Sequence, residues 1–228
     1  MLLVADKIKK NYSRKGHRED ELDAVKETTF EVDEGEFVAI IGRSGGGKST
    51  FLSMLSGLLK PTDGKVFYGG LDIYSLSDDK LSKLRNKDFG VVPQDHLILK
   101  NLTVQENILI AKEMYGGKCE EGHIEKLLVD VGLPGYESYR ADELSGGELR
   151  RLAIARALIN EPKILFADEP SGDLDDHTTR KIMELFKDLA AKKTAIIMVT
   201  HDRDALEYAD KIYRMDYGKL SVQDDLRV

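Results

Sequence analysis

The stretch Phe37-Val-Ala-Ile-Ile-Gly-Arg-Ser-Gly-Gly-Gly-Lys-Ser-Thr50 decides the fold. Five apolar residues without polar alternation, Phe37 to Ile41, read as a parallel strand buried on both faces. The strand runs directly into Gly42 to Ser49, which satisfies G-x-x-x-x-G-K-[ST] at every fixed position, and a helix is expected from Lys48 to Leu59. Gly42, Gly45, Gly46 and Gly47 let backbone N–H groups turn inward around a phosphate, and the helix start adds its positive end. The chemistry of such a loop has Lys48 reach the β- and γ-phosphates and the Ser49 hydroxyl ligate Mg²⁺. The candidate nucleotide-binding residues are therefore Gly42, Arg43, Ser44, Gly45, Gly46, Gly47, Lys48, Ser49 and Thr50.

Outward from this loop, Phe89 to Val92, Ile164 to Ala167 and Ala195 to Val199 repeat the short apolar pattern of buried parallel strands. Helical stretches stand between them. In Thr178 to Ala191, the residues Ile182, Leu185, Phe186 and Leu189 form one apolar stripe to lay against a sheet. The expected class is α/β, a mainly parallel core sheet with helices on both faces. Leu3 to Lys10, Thr28 to Val32 and Lys65 to Tyr68 alternate like half-exposed antiparallel strands and imply a β-subdomain near the N-terminus. From 96 to 159 strand signals vanish. Helices are expected there, one opened by Thr103, one over Glu120 to Val131 and one over Leu149 to Asn160, so an inserted helical subdomain at 96–159 divides a core of 1–95 and 160–228.

Composition narrows the classes. The 228 residues carry 34 Lys and Arg against 41 Asp and Glu, a net charge of −7 without tryptophan, which argues against nucleic acid as the partner. The basic cluster Lys7, Lys9, Lys10, Arg14, Lys15 and Arg18 runs into Glu19, Asp20 and Glu21 and reads as a solvated turn. No apolar run approaches the ~20 residues of a bilayer span, and no signal-peptide core is visible, so the chain is expected not to cross a membrane. The one cysteine, Cys119, lies in a polar stretch and is expected to be exposed and without a role, consistent with a reducing compartment. The histidines His17, His96, His123 and His177 lack metal-ligand spacing.

Two further motifs carry chemistry. Ile164-Leu-Phe-Ala167 ends in Asp168-Glu169-Pro170, which supplies a carboxylate for a metal and, one residue on, a carboxylate able to orient or deprotonate an attacking water. Leu144-Ser-Gly-Gly-Glu148 precedes a helix, and Ser145 with Glu148 forms a capping box. That box leaves Gly146 and Gly147 unexplained, since glycine is a poor helix former that permits close approach of an anion to backbone.

A phosphate loop, Gln94 after a strand, Leu144-Ser-Gly-Gly-Glu148, Asp-Glu-Pro after an apolar strand, Ser171-Gly-Asp-Leu-Asp175 and His201 after a strand together resemble an ABC-type ATPase domain, over nearly the whole chain. The resemblance implies ATP and Mg²⁺, and a head-to-tail pair with a second copy in which Ser145, Gly146, Gly147 and Glu148 of one subunit close over ATP held by the other. It implies that Gln94 contacts metal and water, that Asp168 with Ser49 holds the metal, that Glu169 is the base and that His201 binds the γ-phosphate. It further implies that Asp175 crosses the dimer interface and that Tyr12 stacks on adenine. On the residues alone Asp175 is equally a helix cap, and Tyr12 equally an edge aromatic. Glu148 stands where the family more often has Gln, and Ser171 where it more often has Thr. The charged groups Lys48, Asp168, Glu169 and His201 are all present, so a hydrolysis-competent ATPase is expected.

The insertion Ser13 to Glu21, the run Phe166 to Asp175 and the absence of a regulatory extension resemble the lipoprotein-release and macrolide-export branch of that family. This implies an integral membrane permease as partner and a cytoplasmic, peripheral location on the inner face of the membrane. A mechanotransmitting ATPase of cell-division type and a soluble non-transport ATPase are the alternatives, the latter disfavoured by the short stretch between Gln94 and Leu144. The cluster Leu97, Ile98, Leu99 and Leu102 is expected either to dock the membrane partner or to pack locally.

Overall fold

The computed structural model describes residues 1–13, 21–95 and 97–223, so most of the Ser13 to Glu21 insertion, with Arg14, Lys15, His17, Arg18, Glu19 and Asp20, and also His96, lies outside the described residues. In chain order the elements are β1 (Leu3–Ser13), β2 (Glu21–Val32), β3 (Phe37–Ile41), α1 (Lys48–Leu55), β4 (Asp63–Tyr68), β5 (Leu71–Asp72), α2 (Asp78–Asp88), β6 (Phe89–Val92), α3 (Val104–Glu113), α4 (His123–Asp130), α5 (Gly146–Leu158), β7 (Ile164–Asp168), α6 (Asp176–Ala191), β8 (Ala195–Val199), β9 (Lys211–Asp216) and β10 (Lys219–Val222).

Two sheets form. A six-stranded sheet runs β10-β9-β3-β8-β7-β6, parallel from β9 to β6 with β10 antiparallel at its edge, and an antiparallel sheet runs β2-β1-β4-β5. The unbroken apolar runs follow from burial on both faces. Val38, Ile40, Phe166, Ile197 and Val199 join α1 and the antiparallel sheet in one core, while Ala39, Leu165, Ala167, Ile196 and Met198 join α3, α4, α5 and α6 in the other. An edge-to-face pair, Tyr68 on Phe89 at 5.1 Å, joins the two sheets, and Phe89 in turn packs edge-to-face on Phe166 of its own sheet at 5.3 Å.

The boundaries depart from the sequence reading for local reasons. Helix α1 stops at Leu55, not Leu59, because Gly57 takes φ 73 and the amides of Leu58 and Leu59 turn back to the Ser53 carbonyl. Gly122, at φ 78, delays α4 to His123. Helix α5 begins at Gly146, so Gly146 and Gly147 are its first turn rather than a loop before it. Helix α2 and the β9–β10 hairpin were not anticipated. Cys119 is half-buried against the helical core, contrary to the expected exposure, and burial pushes its thiol pKa up.

Helix α3 opens with a capping box between Thr103 and Glu106. Behind it, Asn107 is 1% exposed and holds the incoming segment, accepting from the Leu99 N–H at 2.9 Å and donating to the carbonyls of Leu99 at 3.0 Å and Thr103 at 2.9 Å. Replacement Asn107→Leu keeps the volume but leaves the buried Leu99 N–H unpaired and reduces the Leu99 and Thr103 carbonyls to their bonds from the Leu102 and Asn107 N–H groups. We expect it to lower stability by about 3 kcal/mol, read from the midpoint of urea unfolding.

Candidate active site

Parallel strands deliver their carboxyl ends to one edge, and ligands of open α/β sheets bind there. Here β3 ends in the Gly42–Ser49 loop, β8 in His201, β7 in Asp168 and Glu169, and β6 in Pro93 and Gln94, in the spatial order that the sheet dictates. These ends and Tyr12 line a cleft of about 1230 Å³. Tyr12, 44% exposed, lies beneath the Lys10 ammonium, 5.6 Å from its ring centroid.

In the loop, Gly47 at φ 101 caps α1 through its backbone, with no side-chain cap. The Lys48 ammonium is folded inward, donating to the carbonyls of Gly42 at 2.8 Å and Arg43 at 3.0 Å. The Ser49 hydroxyl bonds the Asp168 carboxylate across to β7. Asp168 is 8% exposed, and this burial raises its pKa, with Glu169 adding in the same direction against the opposing Ser49 bond and the charges of Lys48 and Arg150.

Glu169 sits at φ 51, an uncommon conformation for a side chain of its size, with its N–H on the Val199 carbonyl at 2.9 Å. Its Oε2 meets His201 Nδ1 at 2.8 Å and accepts from the His201 N–H at 3.3 Å. The two residues expected to act on the terminal phosphate and the water are thus paired with each other. Gln94 is exposed at the rim.

The second glycine-rich start forms a separate shallow surface with Ser145, Gly146, Gly147, Asp173 and Asp175. Ser145 caps α5, and Glu148 reaches back to the Ser145 N–H at 2.8 Å and Oγ at 2.7 Å and accepts from Tyr136 at 2.7 Å. The Ser145 bonds, chiefly, hold the Glu148 pKa below its ordinary value. Gly147 has a packing reason as well, since a Cβ there would come within 2.9 Å of the Asp173 carbonyl. Asp175 is the N-cap of α6, accepting from the Thr178 N–H at 3.0 Å and its hydroxyl at 2.7 Å.

Two features were missed in the sequence. The turn Tyr217-Gly218 of the β9–β10 hairpin lines the cleft, its Gly218 N–H donating to the Gly46 carbonyl at 3.0 Å. Its φ values of 49 and 77 are those of a type I′ turn, but Tyr-Gly lacks the Asn or Asp that signals one. Arg150, on α5, is 3% exposed and donates to the carbonyls of Pro93 and Gln94, each at 2.7 Å. A charged residue at a core-facing helix position was its available signal.

A family model described as ABC transporter matches residues 25–172. The chain belongs to this family. It is an ABC ATPase, an ATP-binding subunit, similar to the lipoprotein-releasing system ATP-binding protein LolD of Bdellovibrio bacteriovorus, at 43% identity over 203 residues, covering 87% of this chain and 92% of that one. The LolD protein of Aquifex aeolicus is 43% identical over 198 residues, covering 86% and 88%. Among solved structures, a dimeric ATP-binding cassette in a post-hydrolysis state bound to ADP and Pi superposes with a TM-score of 0.92 at 33% identity, over 99% of each chain.

Within this ABC ATPase the raised pKa of Asp168 has a measurable sign. Its contribution to stability is fully present below the ordinary value of 3.8 and is lost as pH rises through the higher folded value. Asp168→Asn, which keeps an acceptor for Ser49, should therefore melt at higher temperature than wild type at pH 7, with the gap closing as pH falls toward 4, in thermal melts of the nucleotide-free protein across that range.

Proposed function

We propose that the chain is the motor of a membrane transporter, pairing head-to-tail with a second copy around ATP and driving a separate integral membrane permease. The Glu169–His201 pair beside the phosphate loop and Asp168 in one cleft carries this reading. Lys48 and the loop amides hold the β- and γ-phosphates, released from the Gly42 and Arg43 carbonyls that engage Lys48 without nucleotide. Ser49, Asp168 and Gln94 present only oxygen ligands at this position, the donor set that a hard cation such as Mg²⁺ prefers. When bound, Mg²⁺ neutralises charge developing on the phosphates.

Glu169 takes the proton of the attacking water, and His201, held by its Nδ1 side against Glu169, meets the γ-phosphate. Tyr12 borders the cleft where it can stack on adenine. Across the dimer, Gly146 and Gly147 offer the amides of the first turn of α5 to the partner's γ-phosphate beside Ser145, with Glu148 holding the turn in shape through the Ser145 N–H. Asp175 then plays both parts left open by its sequence, cap of α6 and interface residue.

The helical segment 96–159 is the subdomain that meets the membrane partner. Leu97 and Leu99 are 69% and 49% exposed, and Met114 is 61% exposed, while Ile98 packs into the helical core. A loop that exposes two leucines beside Gln94 suits insertion of an apolar helix end from a permease. No helix among the described residues is long and apolar enough to cross a membrane, so that partner supplies the path. The named relatives belong to lipoprotein-releasing systems, and extraction of a lipid-anchored protein, with the chain peripheral on the cytoplasmic face, is the transport role we infer.

Glu169→Gln keeps the shape and removes the base. We expect its ATP hydrolysis to fall ~100-fold or more while ATP binding persists, and a dimer to accumulate with ATP and Mg²⁺ in size-exclusion chromatography. A variant that hydrolyses ATP at the wild-type rate would refute the assignment of the base.

A further inference from the structure

Arg150 is placed where a helix core residue belongs, yet it is charged. It lies on α5 five residues after the cap Ser145, is 3% exposed, and its Nε has no hydrogen-bond partner among the described residues. Taking a guanidinium out of water costs several kcal/mol unless every donor is used, and an apolar side chain would fill this volume at lower cost. What the guanidinium obtains is two carbonyl contacts 57 and 56 residues away in sequence, Pro93 through Nη1 and Gln94 through Nη2, each at 2.7 Å. Consecutive carbonyls held by one planar fork fix two peptide planes at once. Those planes need holding, because Pro93 has no N–H and ends the ladder of β6.

We propose that Arg150 is a positioning residue for hydrolysis: its fork locks the Gln94 loop to α5, so that displacement of the Ser145–Glu148 turn is passed to Gln94. This rests on the reading of Gln94 given under Proposed function. The tie spans the two surfaces described above, since the same helix presents the turn at its start and the fork on the next turn. The charge is offset by Asp173, Asp168, Asp95 and Glu169, so the fork sits among the cleft carboxylates.

The test is a double-mutant cycle on the full chain with Arg150→Lys and Gln94→Ala. Lysine keeps the charge and most of the length but replaces the fork by one point. Arg150→Lys should lower kcat about tenfold with KM for ATP within about twofold of wild type, and in the Gln94→Ala background the same change should add less than about a twofold loss. Full additivity in the cycle, or an unchanged kcat in Arg150→Lys, would overturn the proposal. If the lysine variant fails to fold, Arg150→Gln takes its place in the same cycle. Independently of activity, amide hydrogen exchange over residues 94–99 should quicken at least about tenfold in Arg150→Lys while β7 is unchanged, and unchanged exchange of that loop would equally overturn it. Wild-type hydrolysis and its loss in Glu169→Gln test the ATPase assignment separately, so a failed cycle counts against Arg150 alone.

Discussion

Three backbones meet around the phosphate loop with no room for side chains between them. A Cβ on Gly42 would stand 2.0 Å from the Met215 carbonyl, one on Gly46 2.9 Å from the same oxygen, and one on Gly47 2.1 Å from the Ala24 carbonyl. The glycines therefore answer to their neighbours in this chain as much as to a phosphate. Met215 belongs to β9, which pairs in parallel with β3, and Ala24 belongs to β2 of the other sheet. The Tyr217-Gly218 turn closes the bracket, with Gly218 donating to Gly46 and accepting from Lys26. Both sheets thereby grip the loop through main-chain atoms, and its shape is set before any nucleotide arrives.

That bracket also explains why the chemistry collects where it does. With β3 fixed beside β8, and β8 beside β7, the residues at and just past the strand ends fall into one cleft: Gly42, His201, Asp168 and Glu169. Gathering them has an electrostatic cost, since burial first and the Glu169 charge second raise the pKa of Asp168. The cations Lys48 and Arg150 offset part of it from opposite sides, one from the phosphate loop and one from α5. Within the loop itself the Lys48 ammonium is satisfied by the carbonyls of Gly42 and Arg43.

What the sequence made legible was whatever local pattern dictates. The four apolar runs became β3, β6, β7 and β8 because burial on both faces leaves no polar alternation, and Ser145, Thr103 and Asp175 start helices because their oxygens cap free amides. Legibility ended where tertiary context decides. Helix α2 has seven charged residues in eleven and buries Leu81 alone, so no apolar stripe announces it. The hairpin β9–β10 turns on Tyr-Gly, and Asn107 and Arg150 serve carbonyls that only the folded chain brings near. Cys119 sits among glycines and glutamates in sequence but against the helical core in space.

The signature turn and the loop leading into α6 act as one body within each chain. Gly147 packs on the Asp173 carbonyl, and Arg150 lies 3.5 Å from the space beside Gly172 through the nitrogen that holds Gln94. Asp175, two residues beyond Asp173, caps α6 and fixes the far end of that loop. The near end is Glu169, whose carbonyl accepts from Gly172 at 3.1 Å. The turn at Gly146 and Gly147 thus touches the loop that begins at Glu169 by packing on Asp173, and the loop that carries Gln94 by the hydrogen bonds of Arg150. No long-range field is needed to connect the second glycine-rich turn to the cleft, because one helix start, one arginine and one seven-residue loop span the distance by contact.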